Sequence, residues 1–394
     1  MTGGGGWAVR FRRSRAMAAS SVALLALTAG CSFGPPGPDQ AGSPPNLPRP
    51  SAAPTAGGDD AAREVAITVL AKNLEVPWGI AFLPDGGAVV TERDTARIVK
   101  VGPESTPGGL KVTELRRLSE VRAAGDGGLL GIAVSPSYAT DKTLFVYYST
   151  DQDNRIGKLA GDGKLEPVLT GIPRSPEHNG GALAFGPDGF LYAGTGDGTP
   201  EGTQAQDAKS LGGKILRITT AGKPAPGNPV KASPVWTSGH RNVQGLAWDE
   251  TKRMYATERG QPRTTELNVV VKGKNYGWPK ADGESTDSKL TGPLASWPTE
   301  TSSCAGVAAL ESLVATACLL GRRLTMLDVT ATGAVLGSPQ DLLTGEFGRL
   351  RAVAAAPDGS FWVGTSNQED AGQPGPEDDR LLRLVLSDGG AGRS

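Results

Sequence analysis

The sequence predicts an all-β fold, a six-bladed β-propeller preceded by a signal peptide and a disordered tether. Three observations predict it. Glycine supplies 56 of 394 residues, about twice the usual ~7 %, with no Gly-X-Y period, which marks turn-rich β structure rather than a collagen-like chain. One phrase recurs six times: a small-apolar strand, a Pro-Asp-Gly-like turn, then a second short apolar strand. Its turns fall near positions 84, 136, 187, 249, 310 and 357. Repeats of roughly 40–50 residues made of short strands and tight turns are the signature of propeller blades. The spacings here are somewhat longer and leave room for loops.

Residues 1–30 read as an export signal. Arg10, Arg12, Arg13 and Arg15 form a basic start, and residues 17–29 a short apolar run. A permanent membrane span needs roughly 20 apolar residues, so this run is too short. It ends in Leu27-Thr28-Ala29-Gly30-Cys31, which resembles a bacterial lipobox, with Thr28 where leucine is commoner. The expectation is an exported lipoprotein, lipidated at Cys31 and anchored on the outer face of the cell membrane. The alternative is an ordinary cleaved signal with Cys31 incidental. Residues 31–62 are rich in Pro, Gly, Ser and Ala and almost free of large apolar residues. Such a segment cannot bury enough surface to offset its chain entropy, and so forms a flexible tether. A single acyl chain holds only marginally, so the anchor needs several.

The propeller spans residues 63–388, and 389–394 form a tail. The clearest copy of the phrase is Ala182-Leu183-Ala184-Phe185-Gly186-Pro187-Asp188-Gly189, then Leu191-Tyr192-Ala193. The fifth, Gly306-Val307-Ala308-Ala309-Leu310 with Leu313-Val314-Ala315-Thr316, is degenerate. Asp-Gly supplies the positive dihedrals of a tight hairpin, and proline sets the residue before it. Residues 64–70 and 380–386 both alternate like strands, and the two ends are expected to share the closing blade. A pair of β-sandwiches would not explain the common phrase. Cys304 and Cys318 are a candidate disulfide in an exported protein, the alternative being two buried thiols. The loop closed would contribute roughly 3 kcal/mol on the chain-entropy account.

The net charge of -1 carries no basic stripe, so no nucleic-acid partner is expected. Only two histidines occur, His178 in Glu177-His178-Asn179-Gly180-Gly181 and His240 in Gly239-His240-Arg241-Asn242-Val243-Gln244-Gly245. Histidine is the side chain best suited to proton transfer near neutral pH. Both motifs lead directly into a repeat, as do Gly125-Asp126-Gly127-Gly128 and Gly348-Arg349-Leu350-Arg351. Equivalent loops of the ring thus carry Asp126, His178, Arg241 with Asn242, and Arg349 with Arg351. Converging arginines suit a ligand with several carboxylates, since the planar fork pairs them bidentately. Scattered surface charge would not sit at equivalent blade positions.

These motifs, together with Leu211-Gly212-Gly213-Lys214-Ile215-Leu216-Arg217, Glu266-Leu267-Asn268 and Asn275-Tyr276-Gly277-Trp278-Pro279, resemble the soluble pyrroloquinoline-quinone (PQQ)-dependent glucose and aldose sugar dehydrogenases. The resemblance covers about residues 65–388, and that family is a six-bladed propeller. It implies oxidation of an aldose at C1 to the lactone, with His178 as general base and hydride transfer to PQQ. It further implies that Glu177 orients or tunes the imidazole, that Arg241 meets the quinone oxygen with Asn242 beside it, and that Arg349 and Arg351 clamp cofactor carboxylates. Carbonyls of Gly260 and Gln261 would hold a Ca2+ on the cofactor. A second Ca2+ is implied near Glu266 and the Tyr276 carbonyl, with Asp287 a further candidate. His240 is expected to order its loop. Asp126 stands where some members place a glutamine against the cofactor. Leu320 stands where a lysine or arginine often meets it, and a small register shift would bring Arg322 or Arg323 there. The implied partners are a small-molecule sugar and an electron acceptor outside the cytoplasm. Two other readings are a cofactor-less propeller binding extracytoplasmic glycans or proteins, and a metal-dependent lactonase or hydrolase. The latter needs carboxylate and Asn ligands around a central calcium, whereas this set is rich in arginine.

Overall fold

In the computed structural model, residues 63–199, 201–259, 264–369 and 372–387 are described. They fold into six four-stranded antiparallel sheets. Blade 1 comprises Pro77–Phe82, Ala88–Glu92, Arg97–Thr106 and Gly109–Arg117; blade 2, Leu129–Val134, Thr143–Ser149, Asn154–Ala160 and Glu166–Ile172. Blade 3 comprises Gly180–Phe185, Leu191–Thr195, Lys214–Ile218 and Val235–Ser238; blade 4, Val243–Trp248, Met254–Glu258, Thr264–Val270 and Ala295–Pro298. Blade 5 comprises Cys304–Leu310, Leu313–Cys318, Arg323–Val329 and Val335–Leu342. Blade 6 runs Leu350–Ala355, Phe361–Thr365 and Leu381–Ser387, and takes its outermost strand, Glu64–Ala71, from the other end of the chain. The two ends pair from Glu64↔Ser387 to Ala71↔Leu381. This closes the ring and leaves no lone edge strand at the joint.

The repeated phrase has a packing cause. Its first strand is the innermost of each blade, and these six strands line a central channel with Gly79, Gly131, Ala182, Gly245, Gly306 and Ala352 in register. At the four glycines neighbouring atoms approach too closely for a Cβ, and at the other two positions alanine is the largest residue present. A Cβ on Gly131 would lie 2.9 Å from Leu183 N, and one on Gly306 2.8 Å from Val353 N. The aromatic that ends the first strand meets the second strand of the preceding blade. Phe82 packs edge-on against Trp362 at 5.1 Å, Phe185 against Phe145 at 5.5 Å, and Trp248 against Tyr192 at 5.2 Å. Such pairs add ~0.5–1.5 kcal/mol beyond the area they bury. The Asp-Gly turns carry the positive φ expected of them, 82° at Gly86, 78° at Gly189 and 77° at Gly359.

Cys304 and Cys318 are joined by a disulfide across the first two strands of blade 5, where they are register partners. The signal, the tether and Cys31 lie outside the described residues. Among the described residues, no helix is long and apolar enough to cross a membrane.

Candidate functional site

In an antiparallel blade the start of the first strand and the end of the second lie at the same edge. Two sets of loops therefore converge there: those leading into first strands and those trailing from second strands. The leading loops supply Asp126, His178, Arg241, Asn242 and Arg349, with Arg351 at the start of its first strand. The trailing loops supply Arg93, Asp197, Arg259 and Glu369, with Glu258 at the end of its second strand.

His178 occupies left-handed backbone (φ 58°), followed by Gly180 at 66° and Gly181 at 118°. A Cβ on Gly180 would lie 2.5 Å from Gly196 N, so the loop needs its glycines to press against blade 3. Asn179 fixes the loop from within: its Nδ2 donates to Ser175 O at 2.7 Å, and its Oδ1 accepts from Asn154 Nδ2 at 3.0 Å. The imidazole is buried, and its Nδ1 lies 3.0 Å from Oδ1 of fully buried Asp197. A carboxylate only accepts, so Nδ1 carries the proton, and in the neutral ring Nε2 presents its lone pair. Nε2 is buried with no hydrogen-bond partner. Glu177, expected to orient the ring, instead places Oε2 3.7 Å from Nε2 on a largely exposed side chain. The orienting group is Asp197.

Asp197 also organises the next loop. Its Oδ2 accepts from Trp278 Nε1 at 2.5 Å, and its N–H donates to Arg241 O at 2.8 Å. The Trp278 ring lies 5.0 Å from the Arg241 guanidinium. Arg241 is further held through its N–H to Glu258 Oε2 at 2.8 Å and its Nη1 to Arg259 O at 3.0 Å. Burial pulls its pKa down, against the raising effect of Asp197. Asn242 Oδ1 accepts from Gly180 N at 2.8 Å, while its Nδ2 and the Nε of Arg241 are buried without partners. His240 has no such vacancy. It is fully buried between Thr237 at 2.8 Å and Glu258 at 2.6 Å, and stacks on Tyr276 at 4.6 Å. It orders the loop, as its neighbours suggested.

Arg349 and Arg351 converge on a residue the sequence reading passed over. Glu369 Oε2 accepts from Arg349 Nη2 at 3.1 Å, and its Oε1 from Arg351 Nη2 at 2.6 Å and Arg93 Nη1 at 2.8 Å. Burial pushes the Glu369 carboxyl up, but Arg351, Arg93 and Arg349 outweigh it and hold the group well below the usual carboxylate range. Nε of both Arg349 and Arg351 is buried without a partner. Asp126 faces Arg259, with Oδ1 3.8 Å from Nη1. Arg322 is exposed in the turn between the second and third strands of blade 5, its carbonyl accepting from Gly345 N. Arg323 turns to Asp341 at 3.1 Å and Ser302 at 3.0 Å.

Of the expected calcium ligands, Gly260 and Gln261 lie outside the described residues. Glu266 and Tyr276 line one small cavity together with Glu258, Asp282 and Trp278. Burial, with Glu258 adding to it, pushes the Glu266 carboxyl up to about 7. Asp287 is not in that cavity; it is exposed and its Oδ1 accepts from Lys289 N at 2.9 Å. Among the described residues no group of three or more His, Cys, Asp or Glu converges as a metal site.

The Glucose / Sorbosone dehydrogenase family matches residues 74–374. The aldose sugar dehydrogenase of Escherichia coli is 33% identical over 238 residues, covering 55% of this chain and 62% of that protein. Quinoprotein glucose dehydrogenase B of Acinetobacter calcoaceticus is 31% identical over 259 residues, 56% of this chain and 53% of that one. The matched stretches thus span less than two thirds of these relatives' own length. The PQQ-bound aldose sugar dehydrogenase of Streptomyces coelicolor superposes with a TM-score of 0.79 at 44% identity, covering 83% of this chain and 99% of that one. With the repeat, the ring and the arginine-lined loops, these similarities lead to one conclusion: the chain belongs to the Glucose / Sorbosone dehydrogenase family.

Proposed function

We propose that the protein is a PQQ-dependent aldose dehydrogenase that oxidises the sugar at C1 to its lactone. One observation carries the reading. Among the buried polar atoms without partners, five lie at the edge where these loops converge: His178 Nε2, Asn242 Nδ2, and the Nε of Arg241, Arg349 and Arg351. An unpaired buried donor costs roughly 1–3 kcal/mol, so this set is made for a ligand that supplies the partners. The donors are mostly guanidiniums, which suits the carboxylates of PQQ. The lone acceptor is the imidazole. A glycan- or protein-binding module has no use for a buried, unpaired imidazole lone pair held by a buried carboxylate.

Arg349 and Arg351 would hold cofactor carboxylates, and Arg241 with Asn242 the oxygen-bearing edge. When bound, PQQ supplies a quinone that accepts the hydride of the sugar C1–H bond. His178 Nε2 takes the proton of the anomeric hydroxyl, so the sugar loses one proton and one hydride and leaves as the lactone. Asp197 keeps Nε2 free to accept and stabilises the imidazolium that forms. Glu177, on the other side of the ring, adds to that stabilisation.

Calcium belongs to the same reading. Glu266 is a buried carboxylate crowded by Glu258, and a hard cation bound by it and by the Tyr276 carbonyl would relieve that crowding. The carbonyls of Gly260 and Gln261 are the expected ligands of the cofactor-side ion. Localisation is proposed from the sequence: an exported lipoprotein anchored through Cys31, passing electrons to an acceptor outside the cytoplasm.

The test is a titration of the apo-protein with PQQ and calcium, followed by dye reduction with a panel of aldoses. Sugar-dependent reduction requiring the cofactor is expected. No PQQ binding and no reduction would favour the binding-module alternative.

A further inference from the structure

A carboxylate stands in a site proposed to receive a polyanion. Asp126 is held in the leading loop of blade 2 by its N–H to Pro176 O at 2.8 Å, and its Oδ2 accepts from the His178 N–H at 3.4 Å. Facing it is Arg259, from the trailing loop of blade 4, with Nη1 3.8 Å from Oδ1. The site itself fixes the backbone of Arg259. Its N–H donates to Asn242 O at 3.1 Å, and its carbonyl accepts from Arg241 Nη1 at 3.0 Å. Blades 2 and 4 are not neighbours in the ring, so the pair reaches past blade 3 on the face that carries the site.

The contact is a weak one for a guanidinium that is only 22% exposed. At 3.8 Å it is beyond hydrogen-bond length, and among the described residues no hydrogen bond engages the guanidinium N–H groups of Arg259. Its charge also bears on the arginines assigned to the cofactor. Burial depresses Arg241 and Arg351, Arg259 adds to the depression of each, and Asp126 opposes it at Arg351. Arg349 and Arg351 already share Glu369, whereas among the described residues the Arg259 guanidinium meets only Asp126, at 3.8 Å.

We propose that Arg259 is a further cofactor-binding residue, a guanidinium for a PQQ carboxylate, and that Asp126 is its internal counter-ion rather than a cofactor contact. The assignment rests on the PQQ reading above. Arg259 would exchange one long ion pair for a bidentate fork on the cofactor. Asp126, left on the His178 N–H, then opposes every anion in the site. Ligands carrying fewer carboxylates than PQQ would not offset that opposition, so the pair also sets specificity.

The experiment is an equilibrium titration of the full apo-chain with PQQ in the presence of calcium, read by quenching of tryptophan fluorescence. Arg259→Gln is expected to weaken binding on the order of tenfold or more, because it removes an attraction and unmasks a repulsion. Arg259→Lys keeps the charge and should stay within about threefold, losing only the fork. Asp126→Asn should tighten binding several-fold at low salt, with the gain fading as salt rises. Arg259→Gln binding PQQ like the wild type would overturn the proposal. So would Asp126→Asn weakening it, which would make Asp126 the contact. If ligand-free melting shows that Arg259→Gln fails to fold, the sign of the Asp126→Asn effect still decides. A wild type that binds no PQQ removes the cofactor reading and this assignment with it, whereas a wild type that binds alongside an unaffected Arg259→Gln removes this assignment alone.

Discussion

Replacing Asp197 with asparagine isolates the contact that makes His178 a base. The substitution preserves shape and removes the charge 3.0 Å from Nδ1. A hydrogen bond to a charged group contributes roughly 1.5–3 kcal/mol net. The imidazolium that forms in the transition state would also lose a Coulomb partner, up to ~4 kcal/mol at an effective dielectric of 20. The expected loss is therefore about 2–4 kcal/mol, or roughly 30- to 1000-fold in kcat. A second effect acts in the same direction. The asparagine amide can turn its Nδ2 toward Nδ1, which drives the ring proton to Nε2 and removes the acceptor. In that orientation the amide oxygen stays on Trp278 Nε1, which only donates, so the tryptophan favours the amide nitrogen facing Nδ1. The assay is steady-state dye reduction at saturating PQQ and aldose, with PQQ affinity and melting temperature measured on the same preparations. Affinity should change little, since Asp197 meets the base and not the cofactor. A kcat within about threefold of the wild type would refute the reasoning, because a transition-state contact of this kind cannot be lost so cheaply.

Glu369→Gln should destabilise the ligand-free protein at pH 7 by roughly 3–5 kcal/mol, since it strips the buried counter-ion from Arg93, Arg349 and Arg351. Glu369 has a depressed carboxyl in the fold, so its stabilisation is complete above the unfolded value of ~4.3 and is lost as pH falls below it. Urea midpoints of wild type and variant should thus converge on acidification below about pH 4, and a gap that stays constant there would contradict the ion-pair account. Chelation with EGTA should lower the melting temperature and added calcium restore it, the ion binding the folded state alone; an unchanged melting curve would count against calcium at Glu266. Cys31→Ser should move the protein from the membrane fraction to the soluble exported fraction, and retention in the membrane would remove the lipid anchor.

Fold and site differ in how far they could be read from the chain. The ring was legible because its physics repeats: Gly131 and Gly306 face the same close backbone, and Phe82, Phe185 and Trp248 fill the same gap. Even the degenerate fifth blade kept its glycine. Closure was legible from two alternating strands at opposite ends of the chain. The site was half legible. Leading loops advertise themselves through unusual residues, the only two histidines and paired arginines. Trailing loops do not: Asp197 sits in Gly196-Asp197-Gly198 and Glu369 in a polar run, and both look like solvated turns. The available signal was positional. Thr195, Glu258 and Thr365 end second strands, and the polar residues just beyond them share the edge with His178, Arg241 and Arg349. The resemblance gave Glu177 the orienting or tuning role, yet its largely exposed side chain meets Nε2 at 3.7 Å, while buried Asp197 holds Nδ1 at 3.0 Å. Asp287, a further candidate on the resemblance alone, lies in solvent, while Asp282 lines the cavity.

The most direct test compares wild type and His178→Ala at matched PQQ occupancy. The account predicts that both bind PQQ alike, that the wild type reduces dye only when an aldose is present, and that the variant loses on the order of 10²–10⁴ in turnover. Turnover by the variant at the wild-type rate, or dye reduction by the wild type that ignores the aldose, would contradict it.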